Sequence, residues 1–110
     1  FAACNLRDGL VTLTTEVPRD AAVQIVDVRP QPLAEAYPPP FPTINVPIVT
    51  LRDALGKLDR QRPVMTLCSY GKMSYFAARI LRQKGFDVTS FAGGLKANIN
   101  PTIPAKLPRP

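Results

Sequence analysis

Residues 64–74 read Val-Met-Thr-Leu-Cys-Ser-Tyr-Gly-Lys-Met-Ser, a sequence typical of a strand, a loop and the start of a helix. The apolar run 64–67, which follows Pro63, predicts a short strand that is buried on both faces. The loop from Cys68 to about Lys72 leads into a helix, because apolar residues then recur at helical spacing. Such a unit is typical of parallel α/β sheets.

The helix after this loop has one predicted apolar face. That face consists of positions 73, 76, 77, 80 and 81. Ser74, Arg79, Arg82 and Gln83 fall outside it, so their side chains are expected to point elsewhere. Gly85 is well placed to end the helix, since glycine readily adopts the left-handed conformation found just after a helix end.

Strands and helices alternate on both sides of this unit. Further strands are predicted at 21–28, 44–46 and 86–91, with residues 10–17 as a candidate edge strand. Thr50 as N-cap, with Asp53 three residues later, predicts a helix at about 50–59. The prolines of 38–42 predict a loop, and Gly93-Gly94 a turn before a short last helix. The predicted fold class is α/β, a three-layer domain with a central, mostly parallel sheet flanked by helices.

Composition narrows the classes of function. The 110 residues suit one domain, and the net charge of +6 comes from 14 basic and 8 acidic residues. Because the basic residues are dispersed, we expect attraction of small anions and no binding of nucleic acid. The absence of His from these residues excludes a histidine base, and two cysteines 64 positions apart form no metal motif.

Membrane association is not expected either. No apolar run reaches the roughly 18 residues that a membrane-spanning helix requires. The first residues, Phe-Ala-Ala-Cys, lack the basic head and cleavage pattern of a signal peptide. The predicted location is cytoplasmic, where the two thiols would stay free.

The loop that begins at Cys68 is the candidate site. Ligands of open α/β sheets bind at the carboxyl ends of strands, where loop N–H groups and a helix N-terminus attract anions. This position favours the thiolate, the reactive form of cysteine, so Cys68 is the candidate nucleophile. The candidate substrate-binding residues are Ser69, Tyr70, Gly71, Lys72, Met73 and Ser74. A free cysteine is more often a small buried apolar residue, and we interpret Cys4 as a thiol without a catalytic role.

Four motifs resemble those of rhodanese domains. The pattern Cys-x-x-Gly-x-x-Ser-x-x-Ala-Ala-x-x-Leu at 68–81 is similar to their active-site loop and following helix. Asp27-Val28-Arg29 resembles their Asp-x-Arg strand end, and Ile-Asn-Val-Pro at 44–47 resembles their Ala-Ile-Asn-Ile-Pro element. Phe-Ala-Gly-Gly-Leu at 91–95 is similar to their closing Gly-Gly segment. The motifs occur in family order and cover residues 23 to about 97.

The resemblance implies a rhodanese-like fold and a sulfurtransferase. Cys68 would carry a sulfane sulfur as a persulfide, taken from thiosulfate, a polysulfide or a persulfide and passed to a thiol or a partner reductase. Such a domain needs no metal and no cofactor of its own. Asp27 and Arg29 would be structural residues near the site, with Arg29 paired to Asp27 or to a loop carbonyl.

A closer likeness concerns the helix after the loop. Residues 75–86 are similar to the C-terminal rhodanese module fused to coenzyme A-disulfide reductases and related FAD-dependent persulfide reductases. Residues 1–9 resemble the end of the dimerisation domain that precedes this module. The resemblance implies a remnant at 1–9, a rhodanese domain at 10–97 and a Pro-rich C-terminal tail at 98–110. FAD and coenzyme A would then belong to the parent protein.

Three departures from the family pattern keep a second interpretation open. Met73 stands where active members usually have Arg, and 37–43 lacks the His of the family's Gly-His-Ile-Pro-Gly stretch. Pro30 replaces the Glu that usually follows Asp-x-Arg. The alternative is a catalytically weak docking or redox-sensing module. A phosphatase fits poorly, because a related phosphatase loop is one residue longer and ends in an Arg that neutralises the phosphoryl group.

Overall fold

The computed structural model describes residues 11–106, and they contain one five-stranded sheet. Its strands, all parallel, lie in the order β1-β5-β4-β2-β3. They are β1 (Thr12–Thr14), β2 (Gln24–Asp27), β3 (Ile44–Asn45), β4 (Val64–Leu67) and β5 (Val88–Phe91). Helices flank the sheet, so the predicted α/β architecture is confirmed. Each strand lies within its predicted range, and β4, at the centre, is buried along its whole length.

Within residues 11–106, three α-helices connect or follow the strands: α1 (Gln31–Ala36), α2 (Lys72–Gln83) and α3 (Gly94–Asn98). The second and third were predicted, and Gly85 takes the expected positive φ, 94°, just after α2. The first was not predicted, because the loop signal of the prolines at 38–42 was extended back to the end of the preceding strand. Pro32 lies in the first turn of α1, where a missing N–H leaves no hydrogen bond unmade, so proline there is compatible with a helix.

The buried face of α2 is rotated from the predicted one. Ser74 is fully buried, together with Ala77, Ala78 and Leu81, whereas Phe76 is 46% exposed. The prediction failed because it assigned faces by apolarity alone. A serine can be buried when its hydroxyl is hydrogen-bonded, and the Ser74 hydroxyl donates to Gly71 O at 3.1 Å.

The predicted helix at about 50–59 is wrong. Two short 3₁₀ helices occupy the segment, Ile48–Asp53 and Leu55–Lys57, with a break at Ala54. Thr50 is not the N-cap, because its hydroxyl donates to Pro47 O at 3.0 Å instead of accepting from a helix N–H. Gly56, a poor helix former, lies in the second segment, so the local sequence gives an α-helix little support there.

The alternation of side chains along β4 divides the core between the two faces of the sheet. On one face Val64 packs in a cluster with Ala77 and Leu81 of α2. On the other face Met65 and Leu67 pack with a cluster that includes Ile103. None of the helices within 11–106 is long and apolar enough to cross a membrane.

The segment after α3 contacts the domain. Ile103 is 3% exposed and packs with Phe91 of β5 and Leu95 of α3. The division into a domain at 10–97 and a tail at 98–110 remains a prediction. Ile103, which falls in the predicted tail, is part of a core cluster of the domain. Residues 1–10 and 107–110, which include Cys4 and the remnant expected at 1–9, lie outside the described residues.

Ile103→Ala is expected to lower the free energy of unfolding by about 2 kcal/mol, because it removes buried methyl groups and leaves a cavity. The measurement is the urea midpoint at unchanged m-value. Ile99→Ala is the matched control, since Ile99 is 37% exposed and should lose less than half as much. Equal losses for the two variants would mean that the buried Ile103 stabilises the domain no more than the partly exposed Ile99 does.

Candidate active site

Cys68 lies directly after β4, at the carboxyl edge of the sheet, and its loop leads into α2. Its side chain is buried, but the sulfur faces backbone donors. Sγ accepts hydrogen bonds from the N–H of Gly71 at 3.1 Å and of Ser74 at 3.4 Å. Both donors belong to the N-terminal end of α2, where the helix dipole is positive. Hydrogen bonds to an ionised acceptor are stronger than to a neutral one, so this arrangement stabilises negative charge on the sulfur.

Gly71 makes this geometry possible. Its φ is 97°, a left-handed conformation that places it as the N-cap of α2. A Cβ at this position would lie 2.9 Å from the backbone N of Gly93. The loop therefore requires glycine here both for its dihedral angle and for the close approach of a second backbone.

Hydroxyl groups beneath the loop hold the first turn of α2. Thr66 of β4 donates to Ser74 O at 2.7 Å. The Ser74 hydroxyl lies 3.3 Å from that of Ser90 in β5, besides its bond to Gly71 O. Ser74 thus presents its N–H to the sulfur and its side chain to the core. The network ties the position of the two sulfur donors to the sheet.

The Gly93-Gly94 turn packs directly on the reactive loop. The N–H of Leu95 donates to Cys68 O at 2.9 Å, and the N–H of Lys96 donates to Ser69 O at 2.8 Å. A Cβ on Gly94 would lie 2.5 Å from Ser69 O. These contacts were not predicted from the sequence, which indicated only a turn. The two consecutive glycines after β5 were the available signal, since they permit one backbone to approach another closely.

The remaining residues of the loop divide between surface and interior. Tyr70 is 53% exposed and Lys72 is exposed, so both can meet a ligand. Ser69 is buried and donates its hydroxyl to Pro104 O at 2.9 Å. Met73 is partly buried against the core. Their role in binding substrate remains a prediction.

Asp27 and Arg29 form a fully buried ion pair at the end of β2. Arg29 Nε lies 2.9 Å from Oδ1 and Nη2 lies 2.7 Å from Oδ2, and Nη2 also donates to Tyr37 O at 2.9 Å. Between them, Val28 N–H donates to Leu67 O at 3.0 Å, one residue before Cys68. The pair therefore lies beside the strand that presents the nucleophile.

Comparison with known proteins identifies the family of this chain. The family model described as Rhodanese-like domain matches residues 13–100. The chain belongs to the rhodanese family. The family predicted from the motifs is therefore confirmed, and with it the sulfurtransferase type of domain.

The solved structures similar to this rhodanese domain include both long proteins and short ones. An NAD-dependent persulfide reductase from A. fulgidus is 32% identical, with a TM-score of 0.65, over 86% of this chain and 17% of that chain. The reduced CoADR-RHD of Bacillus anthracis is 31% identical, with a TM-score of 0.73, over 86% of this chain and 18% of that one. A rhodanese homolog from Thermus thermophilus is 37% identical, with a TM-score of 0.58, over 68% of this chain and 82% of that chain. The chain thus spans less than a fifth of the A. fulgidus and Bacillus anthracis proteins and most of the Thermus protein.

Proposed function

We propose that this rhodanese domain transfers sulfane sulfur through a persulfide on Cys68. The supporting observation is that Sγ accepts the N–H groups of Gly71 and Ser74 at the N-terminus of α2. The donor is thiosulfate, a polysulfide or a persulfide, and the acceptor is a thiol or a partner reductase.

The chemistry needs a thiolate and no protein base. The Cys68 thiolate attacks the outer sulfur of thiosulfate, a new S–S bond forms, and sulfite leaves with the electron pair of the broken S–S bond. With a persulfide donor, the leaving group is the donor's thiolate. An acceptor thiolate then attacks the outer sulfur of the Cys68 persulfide and restores the Cys68 thiolate. This scheme suits a chain whose 110 residues contain no His.

A fused reductase is the proposed partner. Two structural neighbours are the persulfide reductase and the CoADR-RHD protein, of which this chain covers 17% and 18%. In a parent protein of that kind, FAD and coenzyme A would bind outside this domain, to which we assign no cofactor. The proposed location is cytoplasmic.

The second candidate is a weak docking or redox-sensing module. The observation that favours it is Met73, an uncharged and partly buried side chain where the family pattern usually has Arg. The two candidates differ in turnover. A sensing module would change the oxidation state of Cys68 once without passing sulfur on repeatedly.

The test is sulfur transfer by the complete chain from thiosulfate and from a thiol-bound persulfide to an excess of acceptor thiol. We expect multiple turnovers, and after donor alone, a mass increase of one sulfur atom on the peptide containing Cys68. We expect poorer turnover with thiosulfate than with the thiol-bound donor, because Met73 supplies no donor group for an oxyanion. Modification without turnover would favour the sensing module.

Met73→Arg is expected to raise thiosulfate turnover about tenfold, equivalent to about 1.4 kcal/mol of transition-state stabilisation. The reason is that a guanidinium supplies a rigid fork of donors matching oxyanion geometry, which the Met73 thioether cannot do. Steady-state kinetics with thiosulfate and with a thiol-bound donor measure the change. Met73→Gln, of similar length and uncharged, is the control and should gain little. If Met73→Arg transfers sulfur from no donor, the sulfurtransferase proposal fails and the docking module replaces it.

A further inference from the structure

The basic residues are dispersed along the chain, but most of its net positive charge lies in the segment from Cys68 to Lys106, because acidic residues are scarce there. From Cys68 to Lys106 the sequence has six basic residues and one acidic residue. The basic ones are Lys72, Arg79, Arg82, Lys84, Lys96 and Lys106. The acidic one, Asp87, precedes β5, and its carbonyl accepts Val64 N–H at the amino end of β4. Because the strands are parallel, Asp87 lies at the opposite edge of the sheet from Cys68.

Lys96 is held beside the reactive loop by three contacts. Its backbone N–H donates to Ser69 O at 2.8 Å. Its Nζ donates to Pro101 O at 2.6 Å and lies 5.7 Å from the centre of the Tyr70 ring. Tyr70 is a half-exposed residue of the loop itself, so the ammonium lies at the rim of the site. An ammonium has three donors, and the bond to Pro101 O uses one, so donors remain for a ligand.

Lys96 also lies where a charge would compensate for Met73. Met73, where the family pattern usually has Arg, is uncharged, and α3 reaches the same loop from the Gly93-Gly94 turn. A cation–π contact with Tyr70 and the Pro101 bond restrict an otherwise flexible side chain, which reduces the entropy lost when it meets an anion.

We propose that Lys96 is a specificity-determining residue that attracts the anionic group of a sulfur donor or acceptor to Cys68. The assignment rests on the proposed function for its biological meaning, but the electrostatic effect on Cys68 can be measured without sulfur transfer. Lys72, exposed at the start of α2, adds to the same positive field.

The test compares two reagents of nearly equal size, anionic iodoacetate and neutral iodoacetamide. Either one alkylates the Cys68 thiolate, which forms a C–S bond as the C–I bond breaks and iodide leaves. All proteins carry Cys4→Ser, which leaves one thiol of the two. The measured quantity is the ratio of the iodoacetate rate constant to the iodoacetamide rate constant. Lys96→Met, which keeps the length of the side chain, should lower this ratio about threefold, the effect expected of one unit charge acting through solvent at short range.

Lys84→Met is the matched control. Lys84 is exposed and follows the last turn of α2, about 18 Å along the helix axis from its start. The control should leave the ratio unchanged. High salt should reduce the difference between wild type and Lys96→Met, since salt screens exposed charges.

Each outcome decides the assignment. Equal ratios for the Lys96 and Lys84 variants would overturn it. So would an equal slowing of both reagents in Lys96→Met, because that result indicates a structural role in the loop. A lowered ratio in a protein that transfers no sulfur would overturn the proposed function and leave Lys96 as an anion-attracting residue. In an active protein, Lys96→Met should also raise KM for thiosulfate about threefold without changing kcat.

Discussion

Cys68→Ser is expected to abolish sulfur transfer from every donor, a loss of at least about a thousandfold, or about 4 kcal/mol. A serine hydroxyl stays protonated at neutral pH, and the chain, which contains no His, offers no histidine base to deprotonate it. The serine oxygen also cannot carry the transferred sulfur, which the Cys68 sulfur carries as a persulfide. The same hydroxyl still accepts the N–H groups of Gly71 and Ser74, which now bond Sγ, so the fold should persist.

Persulfide formation and turnover separate this prediction from a loss of folding. After exposure to a thiol-bound donor, the loop peptide of the Cys68→Ser variant should show no added sulfur, while the urea midpoint stays near that of wild type. Cys4→Ser is the control and should retain full transfer, since we assign no catalytic role to Cys4. Transfer that survives Cys68→Ser and disappears in Cys4→Ser would reverse the assignment of the nucleophile.

The strand-loop-helix unit around Cys68 could be predicted because its signals are local. An apolar run, a glycine and a helical period lie within 64–83, and neighbouring residues determine each of them. The parallel pairing also followed, because alternating strands and helices permit few other topologies. The family motifs then indicated which residue of the loop carries the chemistry.

What the sequence did not reveal depends on contacts between distant segments. Neither the packing of Gly94 on Ser69 O nor the place of Lys96 beside Tyr70 leaves a periodic pattern. The burial of Ser74 depends on hydroxyl partners such as Ser90, sixteen residues away. The prediction of an α-helix at about 50–59 failed for another reason. A capping pattern alone does not distinguish an α-helix from short 3₁₀ helices.

Asp27→Asn is expected to lower the free energy of unfolding by about 3–5 kcal/mol, the usual result of removing one partner of a buried ion pair. Both Asp27 and Arg29 have no exposed surface. The carboxylate accepts Nε, Nη2 and the backbone N–H of Arg29, whereas an amide offers one oxygen and no charge. The free energy of unfolding of a domain of this size is about 5–15 kcal/mol in total, so the urea midpoint should fall steeply.

The uncompensated Arg29 charge should account for most of this loss, and a second substitution tests that explanation. Adding Arg29→Met to Asp27→Asn removes the buried charge and should recover part of the stability, as apolar replacements of buried pairs often do. Asp53→Asn is the matched control, because Asp53 is exposed and its neutralisation should change the midpoint little. If the double variant is less stable than Asp27→Asn alone, the hydrogen bond from Arg29 to Tyr37 O matters more than the charge. In that event, Arg29 stabilises the domain chiefly by tying the end of α1 to β2, the strand that pairs with β4 before Cys68.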